Sequence, residues 1–251
     1  MKAAVAGLAR HRLLYPALRA RPAALRTPSA LLVELGFAAE DVARAEADYE
    51  RAAAELFPRL LERAREVGSQ EQTDKLSQPE LPAHLSKRLV FAATRLTRPD
   101  VVVETGTFSG GFSTFILRAL EENGTGRLVS LDVPAYEPVE HAIHYPLPAG
   151  QEPGWLVPDE LRPRFELVLG DARRTLPGVL ADAGEIGLFV HDSLHTVRHM
   201  LFEYRQAWRH LRPGGVLLSD DVFRNSAYWL FAALRRRPFL HIGNVGAMRK
   251  P

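Results

Sequence analysis

VVVETGTFSGG, residues 101–111, places three valines, a carboxylate and three glycines in eleven positions. Three consecutive β-branched residues bounded by turn formers read as a short strand buried on both faces. Glu104 closes the apolar run. Gly106 and Gly110 then let the chain turn sharply and bring its backbone close to a ligand.

The same grammar repeats towards the C-terminus. RLVSLD (127–132), FELVLGD (165–171), IGLFVHD (186–192) and GGVLLSDD (214–221) are short apolar runs that also end on acids. Helical patterns separate most of them. STFILRALEEN follows the first run, and TVRHMLFEYRQAWRHL, after the fourth, puts Val197, Leu201, Tyr204, Trp208 and Leu211 on one face. Strands alternating with helices predict an α/β fold, a parallel sheet covered on both sides. FLHIGNVGAMRK (239–250) reads as a closing β-hairpin turning at Asn244–Gly246. Residues 133–163 are much longer than the usual connection and hold His141, His144, Tyr145 and Trp155. A long insertion at the strand ends predicts a substrate cover, with His141 and His144 as weaker candidates for acceptor contacts.

Residues 1–97 read as a helical cap or dimerisation region ahead of a catalytic domain over 98–251. AAEDVARAEADYERAAAELF is amphipathic, and Pro58 is expected to kink or end it. The polar stretch 68–83, with two prolines, is expected as a loop, and AHLSKRLVFAATRL (83–96) as a further amphipathic helix. Residues 1–27 carry Lys2, Arg10, Arg12, Arg19, Arg21 and Arg26 without an acid, which fits a solvated helical arm better than a targeting peptide. The net charge of +2 is too small to argue for a nucleic-acid partner. No run of about 18 apolar residues is present to span a membrane. The 251 residues contain no cysteine, which excludes disulfides, thiolate zinc sites and cysteine nucleophiles, and a cytoplasmic location is expected.

In open α/β sheets ligands bind beyond the carboxyl ends of the strands, so acids at five strand ends converge on one crevice. Helix capping explains one or two of them, not the adjacent pair Asp220 and Asp221. The glycine loop is neither GxGxxG nor a P-loop. Glu104 beside it would repel a pyrophosphate and suits a cation. Asp132 is placed to accept from a ribose diol, and Asp171 to meet an adenine amino group. A nucleoside with a positive charge and no phosphate is S-adenosylmethionine.

The ordered set VVVETGTFSGG, LVSLD, LVLGDAR, FVHDSLH and LRPGGVLLSDD resembles the class I S-adenosylmethionine-dependent methyltransferases, from residue 99 to the end. The resemblance implies a Rossmann-like seven-stranded sheet of order 3-2-1-4-5-7-6. It implies that Glu104, Gly106, Thr107 and Gly110 lie along the methionine part and that Asp132 holds the ribose. Asp171 and Ala172 are then beside adenine, His191 joins the cofactor's surroundings, and Ser113 is the candidate partner of the cofactor's carboxylate. The doubled Gly110–Gly111 departs from the family pattern.

Asp192, Asp220 and Asp221 end strands expected to be neighbours, and three carboxylates in one crevice repel unless a cation joins them. Their spacing resembles that of metal-dependent O-methyltransferases of the catechol type and of those acting on antibiotic sugars. This predicts Mg²⁺ or another divalent ion on Asp192, Asp220 and Asp221, activating a hydroxyl of a small-molecule acceptor. His195, three residues after Asp192, is the candidate base. A homodimer is expected. The rival readings are a metal-free N- or O-methyltransferase with His195 as base, an NAD-binding or non-catalytic nucleotide-binding module, and a methyltransferase-like structural partner.

Overall fold

A computed structural model describes residue 25 and residues 27–78, 82–134 and 147–251. His141, His144 and most of the basic arm lie outside the described residues. Among the described residues four helices lead into the sheet: α1 (Pro28–Glu34), α2 (Ala39–Glu66), α3 (Gln70–Leu76) and α4 (Pro82–Thr97). Then come β1 (Val101–Thr105), α5 (Gly111–Asn123), β2 (Arg127–Asp132), a 3₁₀ turn at Asp159–Arg164, β3 (Phe165–Leu169), α6 (Ala172–Ala183) and β4 (Ile186–His191). The chain closes with α7 (Val197–His210), β5 (Leu211–Ser219), α8 (Ala227–Leu234), β6 (Leu240–Ile242) and β7 (Val245–Arg249).

The sheet has the expected order β3-β2-β1-β4-β5-β7-β6. β1 to β5 pair in parallel, and the final hairpin adds β7 and β6 antiparallel. β1 and β4 are buried at every position because helices cover both faces. Side chains alternate between two cores. Val102, Leu128, Leu188, Val190, Val216 and Leu218 face α4, α5 and the helices before them. Val101, Val103, Val129, Leu131, Phe189 and Leu217 face α6, α7 and α8. The first core runs from Leu31 in α1 through Tyr49 and Leu56 in α2 to Ala247 in β7, so the N-terminal helices share their interior with the sheet.

Three local expectations are corrected. α2 neither ends nor breaks off at Pro58 but continues to Glu66. Leu56 and Leu60, buried beside the proline, keep that segment on the core despite the lost N–H donor. Within 68–83 the chain forms α3, because Ser69 accepts the Gln72 N–H at 3.4 Å and Gln72 and Leu76 are buried. The hairpin turns at Gly243 and Asn244, and Gly246 is already paired with His241 and Ser219.

The second half of the long insertion is fastened down. Trp155, Leu156 and Val157 are buried. Gly154 donates its N–H to the Phe108 carbonyl and Leu156 to that of Ser109, both at 2.8 Å. No helix among the described residues is long and apolar enough to cross a membrane.

Candidate active site

Alternation along the strands decides where the strand-end side chains go. The ladder continues beyond β4 and β5, with Asp192 N–H bonded to the Thr105 carbonyl at 2.8 Å and Asp220 N–H to that of His191 at 2.9 Å. Glu104, Asp192 and Asp220 therefore continue the rows that face α4 and α5. Thr105, His191 and Ser219 continue the rows that face α7.

On the first face the glycine loop is tightly built. Gly106 has φ +89°, and a β-carbon there would stand 2.1 Å from the Asp192 carbonyl oxygen, so the β1 and β4 ends touch through backbone. Gly110, also at φ +89°, begins α5, and a β-carbon there would meet the Gly154 Cα at 2.9 Å. Glu104 is fully buried. Its Oε2 accepts hydroxyl hydrogen bonds from Ser113 and Ser130, each at 2.6 Å, and Thr107 bonds Ser130 at 2.6 Å. Its Oε1 is buried with no hydrogen-bond partner. Burial pushes the Glu104 carboxyl up to about 7, against the two serine bonds. Asp132 accepts Phe108 N–H on Oδ2 at 2.6 Å and Val133 N–H on Oδ1 at 2.7 Å, tying the loop to the end of β2. An unsatisfied buried carboxylate oxygen beside the glycine loop fits a cationic amine. This donor set therefore fits S-adenosylmethionine.

His195 sits between two carboxylates. Its Nε2 is 3.9 Å from Asp192 Oδ1 and its Nδ1 is 3.9 Å from Asp221 Oδ2. Asn225 donates to the His195 carbonyl at 3.1 Å and fixes the loop that carries it. Burial, with His191 nearby, pushes the imidazole down to about 4, so it is neutral at neutral pH. Partial burial and then Asp220 hold Asp192 well above the carboxylate range, and burial holds Asp220 at about 6.

The expected three-carboxylate metal site is not assembled. Asp220 and Asp221 are consecutive, and Asp221 takes φ +52°. Its carboxylate accepts from Asn244 and lies 3.5 Å from Arg224. Among the described residues no three His, Asp or Glu side chains are gathered to hold a metal ion. A cation is nevertheless present. Lys87 of α4 is only 8% exposed, and the charges of Asp192 and Asp220 act on it. Burial and Lys75 push its ammonium down to about 8, while the two aspartates support it.

The α7 face holds a second polar centre. Glu203 is fully buried and accepts four hydrogen bonds: from His191 Nδ1 at 2.6 Å, Thr105 at 2.7 Å, His199 Nε2 at 2.7 Å and Ser193 at 2.8 Å. Burial alone would raise this carboxyl, but the His191 charge and the bonds from both histidines hold it far below the carboxylate range. Tyr204 and Ser219 share a hydroxyl hydrogen bond of 2.6 Å beside it.

Residues 103–222, from β1 to just past β5, match the family model described as "Methyltransferase domain". Over that stretch the chain resembles the methyltransferase domain. Its fold is similar to the SAH-bound methyltransferase PaMTH1 from Podospora anserina, at 16% identity over 77% of this chain and 88% of that one, TM-score 0.53. It is also similar to the O-methyltransferase TomG from Streptomyces achromogenes, at 18% identity over 78% and 90%, TM-score 0.52. A third fold neighbour is the O-methyltransferase from Bacillus cereus in complex with SAH, at 17% identity over 75% and 91%, TM-score 0.50. No curated protein matches the sequence.

Glu104, Gly106, Thr107, Gly110 and Asp132 are gathered at one loop, while Asp192, Asp220 and His195 stand at the neighbouring strand ends. One expected cofactor residue is placed elsewhere. His191 is fully buried on the α7 face, because the residue before Asp192 must point to the opposite side of the sheet. Ser113 is buried, and its hydroxyl is committed to Glu104. Asp171 caps α6 through the Arg173 N–H at 2.9 Å and pairs with the Arg173 guanidinium at 2.8 Å, with Ala172 opening the helix. Sequence reasoning missed Glu203 and Lys87. The stripe on α7 is rotated: Val197 is 38% exposed, while His199, Met200, Glu203, Tyr204 and Ala207 are buried. The signal available for Glu203 was its i,i+4 spacing from His199.

Proposed function

We propose that the enzyme methylates a hydroxyl of a small molecule, with His195 accepting the hydroxyl proton. One observation carries the reading: a buried carboxylate with an open oxygen at the glycine loop shares a sheet edge with a neutral imidazole whose Nε2 has no hydrogen-bond partner. Glu104 would hold the ammonium of S-adenosylmethionine and Asp132 its ribose hydroxyls, with Asp171 and Ala172 on the adenine side. When bound, S-adenosylmethionine supplies an electrophilic methyl group on a sulfonium. His195 takes the proton at Nε2 as the acceptor oxygen becomes nucleophilic, and Asp192 and Asp221 on its two sides stabilise the imidazolium. Buried Trp155 and its neighbours in the insertion keep water from the glycine loop on one side.

Hydroxyl chemistry is supported by the fold neighbours that are O-methyltransferases. A phenol or a natural-product sugar remains the acceptor class proposed. Asp221 is committed to Asn244 and Arg224, and the proton transfer proposed runs through His195 without a metal.

Calorimetry with S-adenosylmethionine, followed by S-adenosylhomocysteine release over a panel of phenols and glycosides, tests the reading. His195→Ala should cut turnover by roughly 10²–10⁴ while leaving cofactor affinity almost unchanged. Full turnover in His195→Ala would remove the histidine as base, and no cofactor binding at all would end the reading.

A further inference from the structure

Among the described residues, two buried polar atoms beside the glycine loop have no hydrogen-bond partner, and they are of opposite kind. The ionised Glu104 carboxylate offers Oε1 as an acceptor, and the Trp155 indole Nε1–H is a donor only. Trp155 is 4% exposed and belongs to the core on the α4–α5 side of the sheet, the side towards which Glu104 points. Its backbone is held against the loop. On one side of it Gly154 N–H bonds the Phe108 carbonyl, and on the other Leu156 N–H bonds that of Ser109, both at 2.8 Å. Val157 reaches Gly110, where a β-carbon would stand 2.8 Å from Val157 Cγ2. Gly154 lies against Thr107, since a β-carbon on Gly154 would stand 3.5 Å from Thr107 Cγ2. From Thr107 the hydroxyl bonds run through Ser130 to Glu104, 2.6 Å each. A line of contacts thus joins the inserted segment to the buried carboxylate. A buried indole N–H normally finds a partner, because leaving it unmade in apolar surroundings costs free energy.

We infer that the Trp155 Nε1–H is the donor to the carboxylate of S-adenosylmethionine, the place that the resemblance gave to Ser113. This rests on the methyl-transfer reading and adds a residue of the long insertion to the cofactor site. The amino-acid end of that cofactor carries one ammonium and one carboxylate. Glu104 Oε1 matches the first and Trp155 Nε1 the second, so the two open atoms form a complementary pair for a zwitterion. Ser113 does not serve, because its hydroxyl hydrogen goes to Glu104 Oε2 at 2.6 Å. An indole suits the task. Its N–H is held in direction by the buried ring, and being neutral it leaves the Glu104 charge to the ammonium. The pair also selects among nucleosides, since a ligand without the amino-acid tail leaves both buried atoms unmet.

The test is calorimetry on the full chain with two ligands and needs no acceptor. One is S-adenosylmethionine; the other is 5′-methylthioadenosine, which keeps the adenosine and the sulfur and has no carboxylate. Trp155→Phe keeps an aromatic ring and removes the N–H. It should bind S-adenosylmethionine about tenfold or more weakly than wild type and 5′-methylthioadenosine equally well. A spectroscopic measurement on wild type serves if Trp155→Phe does not fold. The Trp155 indole N–H resonance of ¹⁵N-labelled protein should move downfield with S-adenosylmethionine and stay in place with 5′-methylthioadenosine. The chain has three tryptophans, so Trp208→Phe and Trp229→Phe assign that resonance by elimination. Equal S-adenosylmethionine affinity in wild type and Trp155→Phe, an equal loss for both ligands, or an indole resonance blind to S-adenosylmethionine overturns the inference and leaves methyl transfer standing. Wild type that binds neither ligand sinks methyl transfer itself, and the Trp155 assignment with it.

Discussion

Two glutamates, Glu104 and Glu203, are equally buried on opposite faces of the sheet, and they are built for opposite ends. Glu203 has both oxygens filled by two histidines, a serine and a threonine, and it stays ionised far into acid. Glu104 has one oxygen filled by two serines and one left open, and it hovers at about 7. A buried charge whose bonds are all made stabilises structure; one left incomplete is poised for a ligand. The α7 face is therefore built as a polar core, and the α4–α5 face is the one proposed to carry the ligand site.

The largest perturbation of this contrast is removal of the N-terminal layer. A chain starting near residue 83 loses Leu31, Leu32, Tyr49, Leu56 and Leu60 from the core beneath the ligand face. It is expected to lose its cooperative unfolding transition in calorimetry. A truncated protein that melts like the full chain would show that the ligand face stands without its cover.

Glu203→Ala strands two histidines and two hydroxyls and should destabilise the fold by about 3–5 kcal/mol in urea titration. A loss below about 1 kcal/mol would mean that the α7 network is not structural. Asp132→Ala acts on the other face. It should weaken S-adenosylmethionine binding by about 1–3 kcal/mol, the scale of hydrogen bonds to a charged group. Undiminished affinity would sink the ribose assignment.

The smallest effect is the sharpest probe of the comparison. The Glu104 carboxyl is protonated below about 7 in the free protein, and only its ionised form attracts an ammonium. Its contribution to cofactor affinity should be full above that pH and fall by up to about tenfold per unit below it. The measure is the difference in affinity between wild type and Glu104→Gln across pH 6–8. A difference that does not change with pH would contradict the assignment.

Much of this was legible in one dimension. Five apolar runs ending on acids, with helical periods between them, determined a parallel sheet covered by helices, because strand and helix periods are properties of the chain itself, while the strand order came with the family resemblance. The glycine loop and Asp132 followed from local chemistry. Tertiary structure decided the rest. The resemblance put His191 in the cofactor's surroundings, yet adjacent strand residues face opposite ways, and His191 packs on the α7 side. Glu203 lay in a helix whose apolar stripe was drawn from residues that sit partly on the surface. Lys87 is 105 positions before Asp192 in the chain. Only the packing of α4 against α5 lays its stem along Gly111. Asp221, which looked like a third metal ligand, is turned by its own backbone towards Asn244. Contacts between distant segments depend on how surfaces pack, and no period in the sequence encodes them.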